Sequence, residues 1–175
     1  MEEGVKETTQ EIIRENINET LEEDEKKAIE KPESLLSEIK KAFPGREQDI
    51  RSYSPLALAY MGDAVYEMVI RTMLLEQANR PVRDLHRYGV RYVSAGAQSR
   101  IVQGIMEDLT EEEQAVYRRG RNAKPKTMAK SASAAEYLRA TGFEAVVGYL
   151  YLTDRMDRAL FLIRKGVGMV DSSHR

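Results

Sequence analysis

Cysteine is absent from the 175 residues. That excludes a disulfide framework, a thiolate zinc site and a cysteine nucleophile. Two histidines, His86 and His174, are too few for a histidine-rich metal centre. Long apolar runs are missing as well. The longest stretch free of charge, Ser52–Gly62, has eleven residues, against the ~20 that a membrane-spanning helix needs. The chain opens Met1-Glu2-Glu3-Gly4, acidic where a signal peptide is basic and then apolar. The expectation is a cytoplasmic protein with no membrane association.

What is present is charge, unevenly spread. Residues 1–50 carry a net −7 and residues 51–175 a net +5. The length suits one folded domain, and the contrast suggests an acidic N-terminal extension (1–50) ahead of a folded domain (51–175). In the extension Ile13, Ile17 and Leu21 recur at four-residue spacing, which fits an amphipathic helix. Its sparse apolar content fits a mobile tail as well. Phe43-Pro44-Gly45 punctuates the chain near the boundary.

From Ser52 onward the periodicity is helical, and no strand, repeat or glycine-rich phosphate loop stands out. Ser54-Pro55 reads as an N-cap followed by proline at the first helical position. The helix they open is expected to reach about Gln77, with Leu58, Met61, Val65, Val69 and Thr72 on its core stripe. Met68 and Met73 are read with that stripe. Shorter helices are expected over about 82–88 and 94–106. Thr110 with Glu113 forms a capping-box pattern opening a helix to about Arg119. Residues 120–127 read as a loop, and helices follow over about 132–140, 143–152 and 154–165. The fold class expected is all-α.

Two carboxylates stand where a helix would not leave them in water. Asp63 interrupts Leu56-Ala57-Leu58-Ala59-Tyr60-Met61-Gly62-Asp63-Ala64-Val65-Tyr66, and Glu144 lies in Phe143-Glu144-Ala145-Val146-Val147-Gly148. A buried ionised carboxylate must be paired, protonated or bound to metal. Two oxygen ligands with no histidine or cysteine nearby suit a hard cation such as Mg²⁺. An arginine partner for each acid, or a place at the edge of its apolar face, explains the same pattern, and spacing alone does not show that the two meet. Small neighbours, Gly62, Ala64 and Ala145, would let helices approach closely.

These residues resemble a family. Tyr60-Met61-Gly62-Asp63-Ala64-Val65 is similar to the Leu-Gly-Asp-Ala core of the ribonuclease III signature, and Phe143 to Leu152 to that family's second catalytic helix. Asp84-Leu85-His86-Arg87, Val93-Ser94-Ala95 and Arg118-Arg119-Gly120-Arg121-Asn122-Ala123-Lys124 extend the likeness to about residues 51–165, nearest to the bacterial Mini-ribonuclease III branch. That branch has the catalytic domain without a double-stranded-RNA-binding domain. Where the wider family has further acids, this chain has Leu56, Ala59 and Thr141, a reduction the Mini branch shares.

The resemblance implies a ribonuclease III-type helical catalytic domain that is homodimeric. Asp63 and Glu144 would be catalytic and hold Mg²⁺, with Mn²⁺ as a substitute ion. It implies a Mg-dependent endoribonuclease cutting double-stranded RNA to leave 5′-phosphate and 3′-hydroxyl ends. The implied role is maturation of the large-subunit (23S) ribosomal RNA precursor, with a large-subunit ribosomal protein as a further partner. The competing reading is a catalytically silent module binding structured RNA in ribosome assembly; retention of both Asp63 and Glu144 speaks against it. For RNA contact the candidates are Arg118, Arg119, Arg121, Asn122, Lys124, Lys126 and Lys130, a basic segment without an acid. A-form RNA is read mainly through phosphates, 2′-hydroxyls and shape. A solvated loop complementing a helix dipole is the plainer alternative. His86 is read as packed structure or a minor RNA contact, His174 as solvated.

Overall fold

Ser54 ends the extended approach to the longest helix and caps it. Its hydroxyl accepts from the Ala57 N–H at 3.1 Å, and Pro55 takes the first helical position. The computed structural model describes residues 33–123 and 133–172. Among them are seven α-helices and no strand, so the all-α expectation holds.

The described residues fall into two units, 33–43 and 44–172. The first holds α1 (Leu35–Ala42), capped by the Ser34 hydroxyl, which accepts from the Ser37 N–H at 3.1 Å. The second holds α2 (Pro55–Gln77), α3 (Val82–Val93), α4 (Ala95–Ile105), α5 (Glu111–Arg121), α6 (Ala134–Leu152) and α7 (Met156–Ser172). The helix expected around Ile13, Ile17 and Leu21 lies outside the described residues, as do Lys124, Lys126, Lys130 and His174.

Helix α6 is the axis of the second unit, and α2, α4, α5 and α7 all pack against it. Every residue from Ala140 to Tyr151 except Glu144 is buried, which is why this helix is apolar all round rather than striped. A capping box starts it: Ser133 N–H donates to Glu136 Oε2 at 3.0 Å, and Glu136 N–H returns to Ser133 Oγ at 3.2 Å. The two helices expected here are one. Gly142 does not break it, because the Tyr117 ring of α5 occupies the space a side chain would need, 2.7 Å from an added Cβ. For the same reason α5 runs on through Gly120 and Arg121, expected as loop: Gly120 packs on Ala145 and Gly142. Helices α3 and α7 also run further than expected, to Val93 and Ser172.

The expected stripe of α2 is only partly the buried one. Leu58 and Val65 are buried, together with Ala59, Gly62, Tyr66, Ile70 and Leu74, whereas Thr72 and Met68 face solvent. Because α2 packs on α3 and α5 as well as α6, its buried face is rotated away from a single-partner stripe.

Two polar ties fix the outer helices. Glu113, 1% exposed, receives both Arg158 Nε at 2.9 Å and Arg158 Nη2 at 2.8 Å while capping α5 through the Thr110 N–H at 2.9 Å. Burial pushes the Glu113 carboxyl up, but the Arg158 and Thr110 hydrogen bonds outweigh it and leave the group below its ordinary range. On the other side the Tyr66 hydroxyl donates to Tyr92 O at 3.1 Å, and the Tyr92 hydroxyl to Asp171 Oδ1 at 2.7 Å. That chain of bonds links α2 to α3 and α3 to the last turn of α7.

Candidate active site

Helices α2 and α6 cross with their main chains in contact. A Cβ added at Gly62 would lie 1.7 Å from the Glu144 carbonyl oxygen, and one at Gly148 would lie 2.0 Å from the Leu58 carbonyl oxygen. Only glycine permits this approach. The crossing brings Asp63, next in sequence to Gly62, within electrostatic reach of the Glu144 side chain. At the same crossing Tyr66 of α2 and Phe143 of α6, both fully buried, meet edge to face at 5.2 Å between ring centroids.

The two acids differ in environment. Asp63 is exposed and Glu144 half-buried. Burial first, and then the charge of Asp63, push the Glu144 carboxyl up to about 8; the Gln98 side-chain amide pulls the other way. Asp63 is raised too, by its own partial burial and by Glu67 one turn along, against the pull of Arg71. Glu67 itself pairs with Arg71. Among the described residues no arginine or lysine forms an ion pair with Asp63 or Glu144. Among the described residues the arginine-paired alternative is therefore not seen. The other plain reading, an acid at the edge of its apolar face, holds for Asp63, which is exposed where burial was expected.

A third polar group reaches this place that sequence reasoning missed. Gln98, on the first turn of α4, is 1% exposed. Its Nε2 donates to the Val93 carbonyl at 3.4 Å, and its Oε1 is buried without a hydrogen-bond partner. The Val93-Ser94-Ala95 segment was visible in the sequence as family-like, but nothing in its spacing marks a glutamine three residues on.

The basic candidates lie close by in the fold. Arg118, Arg119, Arg121 and Asn122 are exposed at the end of α5. Gly120, among them, sits against Ala145, the neighbour of Glu144, at 2.7 Å from an added Cβ to the Ala145 Cβ. Arg119 Nη2 donates to Tyr53 O at 3.2 Å, ahead of α2, and Arg121 lies over the Tyr117 ring at 6.0 Å. His86 is exposed on the rim of a groove of about 380 Å³ between α2 and α3, whose lining includes Glu67, Ile70, Leu74, Leu85 and Val90.

Residues 56–155 match the model of the ribonuclease III domain. Mini-ribonuclease 3 of Symbiobacterium thermophilum is 50% identical over 117 residues, covering 67% of this chain and 90% of that protein. The corresponding protein of Clostridium tetani is 42% identical over 139 residues, 77% of this chain and 92% of its own. The chain belongs to the Mini-ribonuclease 3 branch of the ribonuclease III family. A Fusobacterium nucleatum protein of known crystal structure is 35% identical and superposes with a TM-score of 0.64, over 70% of this chain and 98% of that one. Membership makes the protein an endoribonuclease of the kind that cuts double-stranded RNA. The family is generally dependent on divalent metal.

The ribonuclease III domain here offers few acids for such a metal. Among the described residues no cluster of three or more histidine, aspartate or glutamate side chains forms. Thr141, where the wider family has an acid, is buried with its hydroxyl returned to Tyr137 O at 3.0 Å. Ala59 is buried and Leu56 is 39% exposed. What remains is two carboxylates sharing one field and an amide oxygen without a partner. A hard divalent cation with water in its shell fits that oxygen donor set.

Proposed function

We propose that this chain is a Mg²⁺-dependent endoribonuclease for double-stranded RNA in which Asp63 and Glu144 are the catalytic, metal-binding carboxylates, with Mn²⁺ as a substitute ion. The observation that carries the reading is the Gly62–Gly148 crossing, which sets two otherwise unpaired acids side by side. Leaving them together without a cation keeps a proton on Glu144 up to about pH 8. A divalent ion, when bound, supplies Lewis-acid charge for the phosphate and a water of lowered pKa. Asp63 and Glu144 would hold that ion, and its positive charge would favour the ionised form of Glu144 against the burial and the Asp63 charge that raise its pKa. Asp63, the exposed partner, presents its carboxylate on the side open to a substrate phosphate. Cleavage leaves 5′-phosphate and 3′-hydroxyl ends.

Arg118, Arg119, Arg121 and Asn122, continued in sequence by Lys124, Lys126 and Lys130, supply phosphate contacts beside the carboxylates. The catalytic unit is residues 51–175 and the acidic segment 1–50 an extension of it. The working form is a homodimer. Along α2, Leu56, Tyr60, Met68 and Leu75 are exposed, Tyr60 by 83%, at spacings that keep them on one side. A second copy of the chain covers that stripe and places a second site for the opposite strand. The substrate is the 23S ribosomal RNA precursor, with a large-subunit ribosomal protein as partner and the cytoplasm as location.

The test is incubation of the purified protein with long, fully paired RNA and Mg²⁺, beside EDTA and Asp63→Asn, with analysis of product ends. Cleavage that needs both Mg²⁺ and Asp63 supports the assignment. Wild-type turnover by Asp63→Asn removes it.

A further inference from the structure

Gln98, on a helix packed against the one that carries Glu144, is held under unusual constraints. It is almost completely buried, yet half of its amide is unused. Burying an amide oxygen without a partner costs about 1–3 kcal/mol, so an unpartnered Oε1 beside a catalytic carboxylate needs an explanation. The Nε2 group donates to Val93 O at 3.4 Å, and the same amide acts on the Glu144 carboxyl in the direction that favours its ionised form. The donor end is thus turned to neighbours while Oε1 has no partner. The helix that carries Gln98 is capped independently by Ser94, whose hydroxyl accepts from the Ala97 N–H at 3.4 Å, so α4 does not need the glutamine for its own termination.

We propose that Gln98 is a positioning residue of the metal centre: its amide N–H orients Glu144, and its Oε1 accepts a hydrogen bond from a water of the cation's hydration shell. The inference rests on the Asp63–Glu144 metal reading. It assigns to an uncharged side chain part of the work that extra carboxylates do elsewhere. Groups that orient metal ligands from behind typically change affinity about 10–100-fold when removed. A leucine or methionine of similar volume would fill the same space and offer neither donor nor acceptor.

The experiment measures Mn²⁺ binding to the full-length protein without RNA by titration calorimetry, for wild type, Asp63→Asn, Gln98→Met and Gln98→Glu. Thermal unfolding in EDTA is recorded for each. Gln98→Met is expected to weaken Mn²⁺ about tenfold or more while keeping a cooperative unfolding transition in EDTA. Gln98→Glu loses the N–H toward Glu144 but keeps an acceptor oxygen and adds a negative charge, whose attraction for a divalent ion outweighs that loss, so it binds Mn²⁺ at least as tightly as wild type. In cleavage assays Gln98→Met should need more Mg²⁺ for half-maximal rate, with a smaller change in the rate at saturation. Wild-type Mn²⁺ affinity in Gln98→Met overturns the proposal while Asp63→Asn still loses the ion. If Gln98→Met does not fold, weakened binding in Gln98→Glu overturns it instead, and wild-type or tighter binding supports it. If wild type and Asp63→Asn bind Mn²⁺ alike, the metal reading itself falls and takes this inference with it.

Discussion

Gly62 lies so close to the main chain of Glu144 that a single methyl group would stand 1.7 Å from the Glu144 carbonyl oxygen. That oxygen belongs to backbone inside α6 and cannot swing aside as a side-chain tip could. Gly62→Ala must therefore push α2 and α6 apart, and Asp63 from Glu144 with them. Forced overpacking of this kind costs about 1–3 kcal/mol or more. Chemical denaturation should show that loss, and the cleavage rate should fall further than the folded fraction accounts for. Wild-type stability in Gly62→Ala would contradict the crossing described.

The Glu144 carboxyl sits well above its ordinary value, so between the unfolded value near 4.5 and the folded value of about 8 the native state holds the extra proton. Raising pH through that window releases it against burial and Asp63. Stability without divalent ions should thus fall as pH rises from about 5 to 8 and level off above. Thermal melts in EDTA and in Mg²⁺ across this range check the sign. Added Mg²⁺ should stabilise more at pH 8.5 than at pH 6. In Asp63→Asn the repulsive neighbour is gone, and the fall should move to lower pH.

Removing the arginine from the Glu113–Arg158 pair leaves a carboxylate that is 1% exposed without its main partner. Arg158→Leu should cost about 3–5 kcal/mol. Adding Glu113→Gln to it should recover part of the loss, because no charge is then stranded. Urea unfolding of the single and double variants measures the coupling. Equal stability of the two variants would mean that Glu113 finds compensation elsewhere.

At the end of α5, Arg118, Arg119 and Arg121 are exposed around Gly120, which packs on Ala145 of α6. Replacing Arg118 and Arg121 by glutamine should weaken double-stranded RNA binding. The log Kd against log salt slope should shrink by about 1 for each phosphate that is no longer neutralised. Arg119 is left in place because it also holds the Tyr53 carbonyl. Fluorescence anisotropy at several salt concentrations gives the slope. An unchanged slope assigns these arginines to solvent.

Asp63 and Glu144 stood out in the sequence because each breaks one of the most apolar stretches of the chain. Glu144 is half-buried as that pattern suggests, while Asp63 reaches the edge of its helix face and is exposed. Ser54-Pro55 and the Thr110–Glu113 capping box were legible because caps are local chemistry, and both are formed as expected. The continuity of α6 was not. A glycine such as Gly142 weakens a helix considered alone, and only the Tyr117 ring from another helix turns it into a packing site. Gln98 was hidden for a related reason. Its significance comes from where α4 meets α6, a juxtaposition of residues far apart in the chain that no local pattern encodes. The α2 stripe was misjudged at Thr72 and Met68 because three helices grip α2.

The hydrogen bond from Tyr92 to Asp171 gives the far end of α7 a part in the fold. Asp171 is the penultimate residue of that helix, yet it holds the hydroxyl of a buried tyrosine whose carbonyl in turn anchors Tyr66 between α2 and α6. Shortened versions of the chain should accordingly keep their integrity when trimmed to Ser172 and lose it when trimmed past Asp171. An affinity tag fused directly to Val170 would disturb the Tyr66–Phe143 packing from the far end of the chain.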